Sequence, residues 1–279
     1  MYEDPAIELE AFAPYSRVFC IASAGCTART LSAAGHNVTA IDINPRQILY
    51  AKARAAGAPI REAAAERLLS RARTLLPLLS WTESRRREFL SLRDPSDQLR
   101  YWHRTLDSNR WRAAIDTLLS ASLLRLAYAS PFLTALPRDF GAHVRARLAR
   151  TWANHANHSN PYAWRLLLGE VSGDAPFAAE PPTPPIQFVC ADAVAYLEAS
   201  DAASFDAFSL SNIADGAPPS YVQRLYSAVK HAAAPDASIV IRSFAEPTTA
   251  AENNRAARDR SLLWGVVNVI PAGDLCSTF

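Results

Sequence analysis

The stretch Arg17-Val18-Phe19-Cys20-Ile21-Ala22-Ser23-Ala24-Gly25-Cys26 decides the fold. An apolar run over 17–22 suits one buried strand, the small residues after it make a tight loop, and Thr27 to Ala34 read as a helix. Outward from this unit, Asn37 to Ile41 predict a second strand that ends on Asp42. Pro45 then opens a helix that runs through Gln47, Tyr50 and Lys52 to Ala56.

From Ile60 to about Arg150, apolar residues such as Leu68, Leu69, Leu75, Leu76, Leu118, Leu119 and Leu123 recur at helical spacing between arginine-rich faces. Pro77, Pro95, Pro131 and Pro137 punctuate the pattern. The stretch is too long for one strand-to-strand crossover, so it predicts an inserted helical cap that continues through Asn160-Pro161-Tyr162 to Glu170. Pro181 to Pro185 read as a stiff connector back to the sheet. Strands are expected over 186–190, 207–210 and 237–241, with an amphipathic helix over 221–233 and a last, antiparallel strand over 264–270. The pattern predicts an α/β protein: a Rossmann-like, class I methyltransferase-type doubly wound sheet with a large helical insertion. Residues 1–60 and 181–279 would form the two parts of the cofactor-binding domain, and 61–180 the insertion.

Composition excludes little. With 279 residues, 49% hydrophobic and 20% charged, the chain has ordinary globular usage and enough length for a large core. The net charge of +2 hides a block over 61–150 with 17 Arg against 9 acidic residues. Such a block suits anionic lipid, nucleic acid or a carboxylate substrate, or else the solvated faces of arginine-rich helices. Arginine outnumbers lysine 27 to 2. Cys20, Cys26, Cys190 and Cys276 have no metal-knuckle spacing, so no metal site is expected, and with no apolar leader before Tyr2 a reducing cytoplasm is. No run of about 18 apolar residues occurs, so no transmembrane segment is expected, with peripheral attachment to a membrane left open.

Ligands of doubly wound sheets bind at the carboxyl ends of the strands, where Ala22, Ser23, Ala24 and Gly25 lie. One glycine stands where dinucleotide fingerprints have three, which argues against a pyrophosphate and for S-adenosylmethionine. Asp42, with Ile43 and Asn44 beside it, is expected to bind the ribose hydroxyls, or else to cap the helix that follows. Asp192, next to Ala193, would meet the adenine amino group or cap its own helix. Asn212 and Asp215 would face the amino-acid part of the cofactor or simply form a turn.

The chain resembles the betaine-lipid synthase family of adenosylmethionine:diacylglycerol 3-amino-3-carboxypropyl transferases. The resemblance is carried by Tyr2-Glu3-Asp4-Pro5, Ile21-Ala22-Ser23-Ala24-Gly25, Ala40-Ile41-Asp42-Ile43-Asn44-Pro45, Asn160-Pro161-Tyr162, Leu167-Leu168-Gly169-Glu170, Leu210-Ser211-Asn212-Ile213 with Asp215, and Asp259-Arg260-Ser261-Leu262. It implies that a nucleophile attacks the γ-carbon of the methionine chain and releases methylthioadenosine. Tyr162 and Trp164 are candidates to face the sulfonium, or are buried packing. Arg242 or Arg260 would clamp the cofactor carboxylate, or pair with Asp215 or Asp259. Family members that act on lipid are usually longer at one or both ends. The acceptor therefore stands open between a lipid, a small molecule and the cofactor's own amine, whose ring closure gives azetidine-2-carboxylate. Asn160, Asn212 and Asp215 would orient that amine, and His155 would accept its proton. Two other readings are a small-molecule methyltransferase and a non-catalytic basic module that binds membrane or nucleic acid. Lysine scarcity and the lack of a recognisable motif count against nucleic acid.

Overall fold

The computed structural model describes residues 3–61, 64–125, 130–170 and 185–275. The expected connector Pro181 to Pro185 lies, except for Pro185, outside the described residues, as do Tyr2 and Cys276. In chain order the elements are α1 (Ala6–Ala11), β1 (Arg17–Ile21), α2 (Cys26–Ala33), β2 (Asn37–Asp42) and α3 (Pro45–Ala55). A helical stretch follows: α4 (Ala64–Leu75), α5 (Glu83–Ser91), α6 (Pro95–Tyr101), α7 (Asn109–Leu118), α8 (Ala121–Leu124), α9 (Ser130–Thr134), α10 (Phe140–Asn154) and α11 (Pro161–Leu168). The chain then returns as β3 (Gln187–Cys190), α12 (Ala193–Glu198), β4 (Phe205–Ser209), α13 (Pro219–Ala232), β5 (Ala233–Ser243), α14 (Ala250–Arg258) and β6 (Val266–Pro271).

The six strands form one mixed sheet in the order β3-β2-β1-β4-β5-β6. All pairs are parallel except β5 with β6, which are antiparallel. Alternation along the strands divides the core. Phe19, Phe208 and Ile239 face α12 and α13 through Leu197, Leu225 and Val229. Val18, Cys20 and Val240 face the other way, against Leu31 of α2, Ile48 of α3 and Ala256 of α14. The protein is therefore α/β, with helices on both sides of the sheet.

Sequence and structure differ most at β5, expected over 237–241 but running from Ala233 to Ser243. Phe205 pairs with Ala233 and Ala207 with Ser238, so the strand bulges around Pro235 and Asp236. Proline has no N–H to give the ladder, which makes a bulge its natural place. Two elements were not expected at all: α1, and α14 with its reciprocal cap between Thr249 and Glu252.

The helices between α3 and β3 build an apolar core of their own. Trp81 stacks on Trp111 with ring centroids 4.2 Å apart, Trp102 meets Trp81 edge-on at 5.6 Å, and Phe89 meets Trp152 edge-on at 5.1 Å. Cys26 and Leu262, from the sheet side, complete the cluster. The basic block over 61–150 is in part internal structure. Arg86 donates to the carbonyl of Leu167, and Arg147 donates to Leu263 at 2.8 Å and Phe244 at 2.7 Å. Among the described residues, no helix is long and apolar enough to cross a membrane.

Gly265 lies where α10 meets the end of β5. A Cβ there would fall 1.9 Å from the carbonyl oxygen of Ala245 and 2.4 Å from Nη2 of Arg147. Gly265→Ala is expected to lower stability by about 1–3 kcal/mol through overpacking. Urea unfolding tests this, and an unchanged midpoint would show that the junction yields.

Candidate functional site

Strand order reverses between β1 and β4, so the loops after these strands diverge and leave a crevice at their carboxyl ends. There lies a cleft of about 350 Å³. Its walls include Ile21, Asp42 and Ile43 on one side and Asp192, Ile213 and Tyr221 on the other. Both charged residues that line it, Asp42 and Asp192, are acidic, and among the described residues no Arg or Lys lines it. A second concavity, over Glu83, Arg87 and Glu88, is an open face of α5 carrying an ion pair between Arg87 and Glu83.

The loop after β1 takes its shape from local constraints. Ser23 has φ +45° and Gly25 φ +77°, and the Gly25 N–H donates to the carbonyl of Ala22 at 2.6 Å. A Cβ on Gly25 would lie 3.0 Å from that of Ala51, so glycine both permits the turn and lets α3 pack close. Ala22 is buried, Ala24 leans against the helical core, and Ser23 is exposed.

Asp42 is not a helix cap. Asn44 caps α3 by accepting from the Arg46 N–H at 3.0 Å, and that occupies the Asn44 side chain. Asp42 Oδ1 accepts from the Asn44 N–H at 2.8 Å and Oδ2 from the Ser23 N–H at 3.2 Å. A carboxylate offers about four acceptor positions, so room remains for two further donors from the cleft. Ile43 is 71% exposed and forms an apolar lip. Asp192 has the capping role of the two expected for it: Oδ1 caps α12 through the Ala195 N–H at 2.9 Å, while Oδ2 accepts from the Tyr221 hydroxyl at 3.1 Å. Burial and Asp192 push the Tyr221 hydroxyl up to about 12, so it remains a donor. Ala193, next to it, is also part of the lining.

Asn212 and Asp215 form a turn that is tied down. Asp215 accepts from the Ser243 hydroxyl at 2.6 Å, the Phe244 N–H at 3.0 Å and the Asn212 amide at 3.4 Å. Asn160 caps α11 and donates to the carbonyl of Arg260 at 3.0 Å. Tyr162 is fully buried, and its hydroxyl donates to the carbonyl of Glu3 at 2.7 Å. His155 is bonded through Nε2 to the carbonyl of Ala257 at 2.8 Å, and burial pulls its pKa down, so it is a neutral donor at the end of α14. Trp164 gives its indole N–H to the carbonyl of Asn157 at 3.1 Å.

Arg242 corrects an expectation. It is 1% exposed, and all three of its guanidinium nitrogens are engaged. Nη1 and Nη2 hold Glu8 at 2.6 and 2.9 Å, Nη2 also holds the carbonyl of Asp4 at 2.9 Å, and Nε holds Asp259 at 3.2 Å. Four of its five N–H donors are taken and the group is buried, so Arg242 is a structural bridge. Arg260 is similarly paired, with Nε and Nη2 on Asp4 at 2.6 and 2.7 Å. Glu8, which the sequence reading did not single out, sits 234 residues from Arg242 along the chain, with no local periodicity to betray it. Tyr221, also missed, looked like one more residue of an amphipathic helix.

Comparison with protein families, with curated proteins and with solved structures gives no match to this chain.

Two outcomes are expected of the buried ion cluster. Arg242→Ala strands Glu8 and Asp259 without a cation and should destabilise by about 3–5 kcal/mol in urea. Burial pushes the Asp259 carboxyl up to about 6 against the pull of Arg242. An unfolded Asp ionises near pH ~4, so between these values the folded chain holds the extra proton and stability from this group falls as pH rises. Asp259→Asn should therefore gain on the wild type between about pH 4 and 7. A constant gap between the two urea midpoints across that range would refute the assignment.

Proposed function

We propose that the cleft binds S-adenosylmethionine in a Rossmann-like, methyltransferase-type sheet, and that the protein catalyses displacement at the γ-carbon of its 3-amino-3-carboxypropyl group. The observation that carries the nucleoside part is electrostatic: in a chain with 27 Arg, the cleft is lined by Asp42 and Asp192 and, among the described residues, by no basic one. That lining disfavours a polyphosphate and favours a neutral or cationic nucleoside. Asp42 would accept from the two ribose hydroxyls with its free acceptor positions, a charge-assisted pairing. Ile43 and Ile213 would sandwich the adenine, with Asp192 and Tyr221 at its polar edge.

The choice of the γ-carbon rests on the resemblance to the 3-amino-3-carboxypropyl transferases. A lone pair on the nucleophile forms a bond to that carbon, the carbon–sulfur bond breaks with its electrons going to sulfur, and neutral methylthioadenosine leaves. The nucleophile loses a proton. Because a sulfonium is already a good leaving group, the protein's task is alignment and exclusion of water. Asn212 is nearest to an orienting role, since among the described residues its side-chain amide has two long contacts, donating to Asp215 and accepting from the Ser211 hydroxyl, each at 3.4 Å.

Incubation with adenosylmethionine alone tests the reaction. Methylthioadenosine with a cyclic amino acid means ring closure, and methylthioadenosine only when a lipid or small acceptor is added means transfer. Adenosylhomocysteine would mean methyl transfer and would overturn the reading. Asp42→Ala is expected to weaken adenosylmethionine binding at least about tenfold in calorimetry, the loss of one charged hydrogen-bond acceptor. Unchanged affinity would remove Asp42 from the site.

A further inference from the structure

The N-terminal segment carries three carboxylates to the crevice side of the sheet, and they differ in their partners. Asp4 is paired with Arg260 and Glu8 with Arg242. Among the described residues Glu3 has hydroxyls as its partners: its carboxylate accepts from Ser211 and, at 3.3 Å, from Thr27. Ser211 follows β4 in left-handed backbone, and Thr27 lies in the first turn of α2. Glu3 therefore bridges the two loops that diverge at the reversal of strand order. The chain entering these loops also supplies the cleft walls Ile21 and, two residues after Ser211, Ile213.

Its backbone is fixed on both sides. The Tyr162 hydroxyl holds the Glu3 carbonyl at 2.7 Å, and Arg260 holds Asp4 through its backbone N–H and side chain. Negative charge is in excess around it: among the described residues the ion pairs of Asp4, Glu8 and Asp259 are with Arg242 and Arg260, and Glu3 makes none. Glu3 makes no ion pair among the described residues, although its charge reaches Arg242, and it is fixed beside the two loops that carry the cleft walls Ile21 and Ile213, so it is preorganised for a positively charged ligand group.

We propose that Glu3 is the anionic contact for the cationic half of the ligand, the sulfonium and its amino-acid chain. It thereby makes the site prefer charged adenosylmethionine over neutral methylthioadenosine. This rests on the adenosylmethionine reading above. It gives the N-terminal segment a specificity role, and it assists turnover, because the reaction removes the charge that Glu3 holds and so loosens the product.

The test compares calorimetric affinities of the full-length wild type and Glu3→Gln for adenosylmethionine and for methylthioadenosine. Glutamine is isosteric: its one amide oxygen accepts from Ser211, while its NH2 faces the Thr27 hydroxyl, which can turn to accept, and thermal unfolding without ligand checks the fold. Glu3→Gln is expected to weaken adenosylmethionine about tenfold or more while methylthioadenosine changes less than about twofold. Equal losses for both ligands, or no loss for either, overturn the proposal. A second variant, Ser211→Ala, keeps the charge and should hold the ratio of the two affinities at or above the wild-type value; a fall to the Glu3→Gln ratio also overturns it. If the wild type takes up neither nucleoside, the adenosyl reading fails first and this proposal falls with it.

Discussion

The Arg242 guanidinium, held in place by Glu8, Asp259 and the carbonyl of Asp4, ties together three distant parts of the chain. It joins the N-terminal helix, the penultimate strand of the sheet and the turn after α14. Removing such a group from water is expensive, and only a full set of partners offsets that. The set is present: burial alone would lower the pKa of Arg242, yet Glu8 and Asp259 raise it well above the ordinary arginine range. What the pairing provides is register. Ser209, on β4, adds its hydroxyl to Glu8 at 2.8 Å, so the N-terminal segment is located against β4 and β5 together.

That location shapes the electrostatics of the crevice. Arginine is abundant in this protein, but among the described residues it is largely committed to carbonyls and carboxylates in the helical stretch and in the buried cluster. The strand ends are left to Asp42, Asp192 and Glu3. A surface near neutrality overall thus contains a local acidic pocket, and the sign of that pocket limits the ligands it can hold.

Much of this was legible in the sequence where it depends on neighbours. The apolar run ending at Ile21, the small loop and the acid closing β2 are local patterns, and the structure has them at the expected places. Asp192 too was readable from its position just after a strand. What could not be read depends on partners far along the chain. Arg242 at the end of a strand looks the same in sequence whether it faces a ligand or a carboxylate 234 residues away. Tyr221 meets Asp192 only because α12 and α13 lie side by side. His155 has the chemistry of a base, and no spacing rule announces that its Nε2 meets the carbonyl of Ala257.

The edge strand β3 is joined to β2 only by way of the whole helical stretch: Thr39 and Gln187, which touch across the two strands, are 148 residues apart. The entropy of closing such a loop grows with the logarithm of its length, so doubling it adds only about 0.6 kcal/mol. The sheet is therefore nearly indifferent to how much chain is spliced in at that point. Because the spliced helices keep a tryptophan-rich core of their own, they can be lengthened, trimmed or exchanged while β1, β2 and β4 go on presenting the same crevice. Whatever second molecule the site receives, its recognition can diversify in that segment so long as Tyr162 stays on the carbonyl of Glu3.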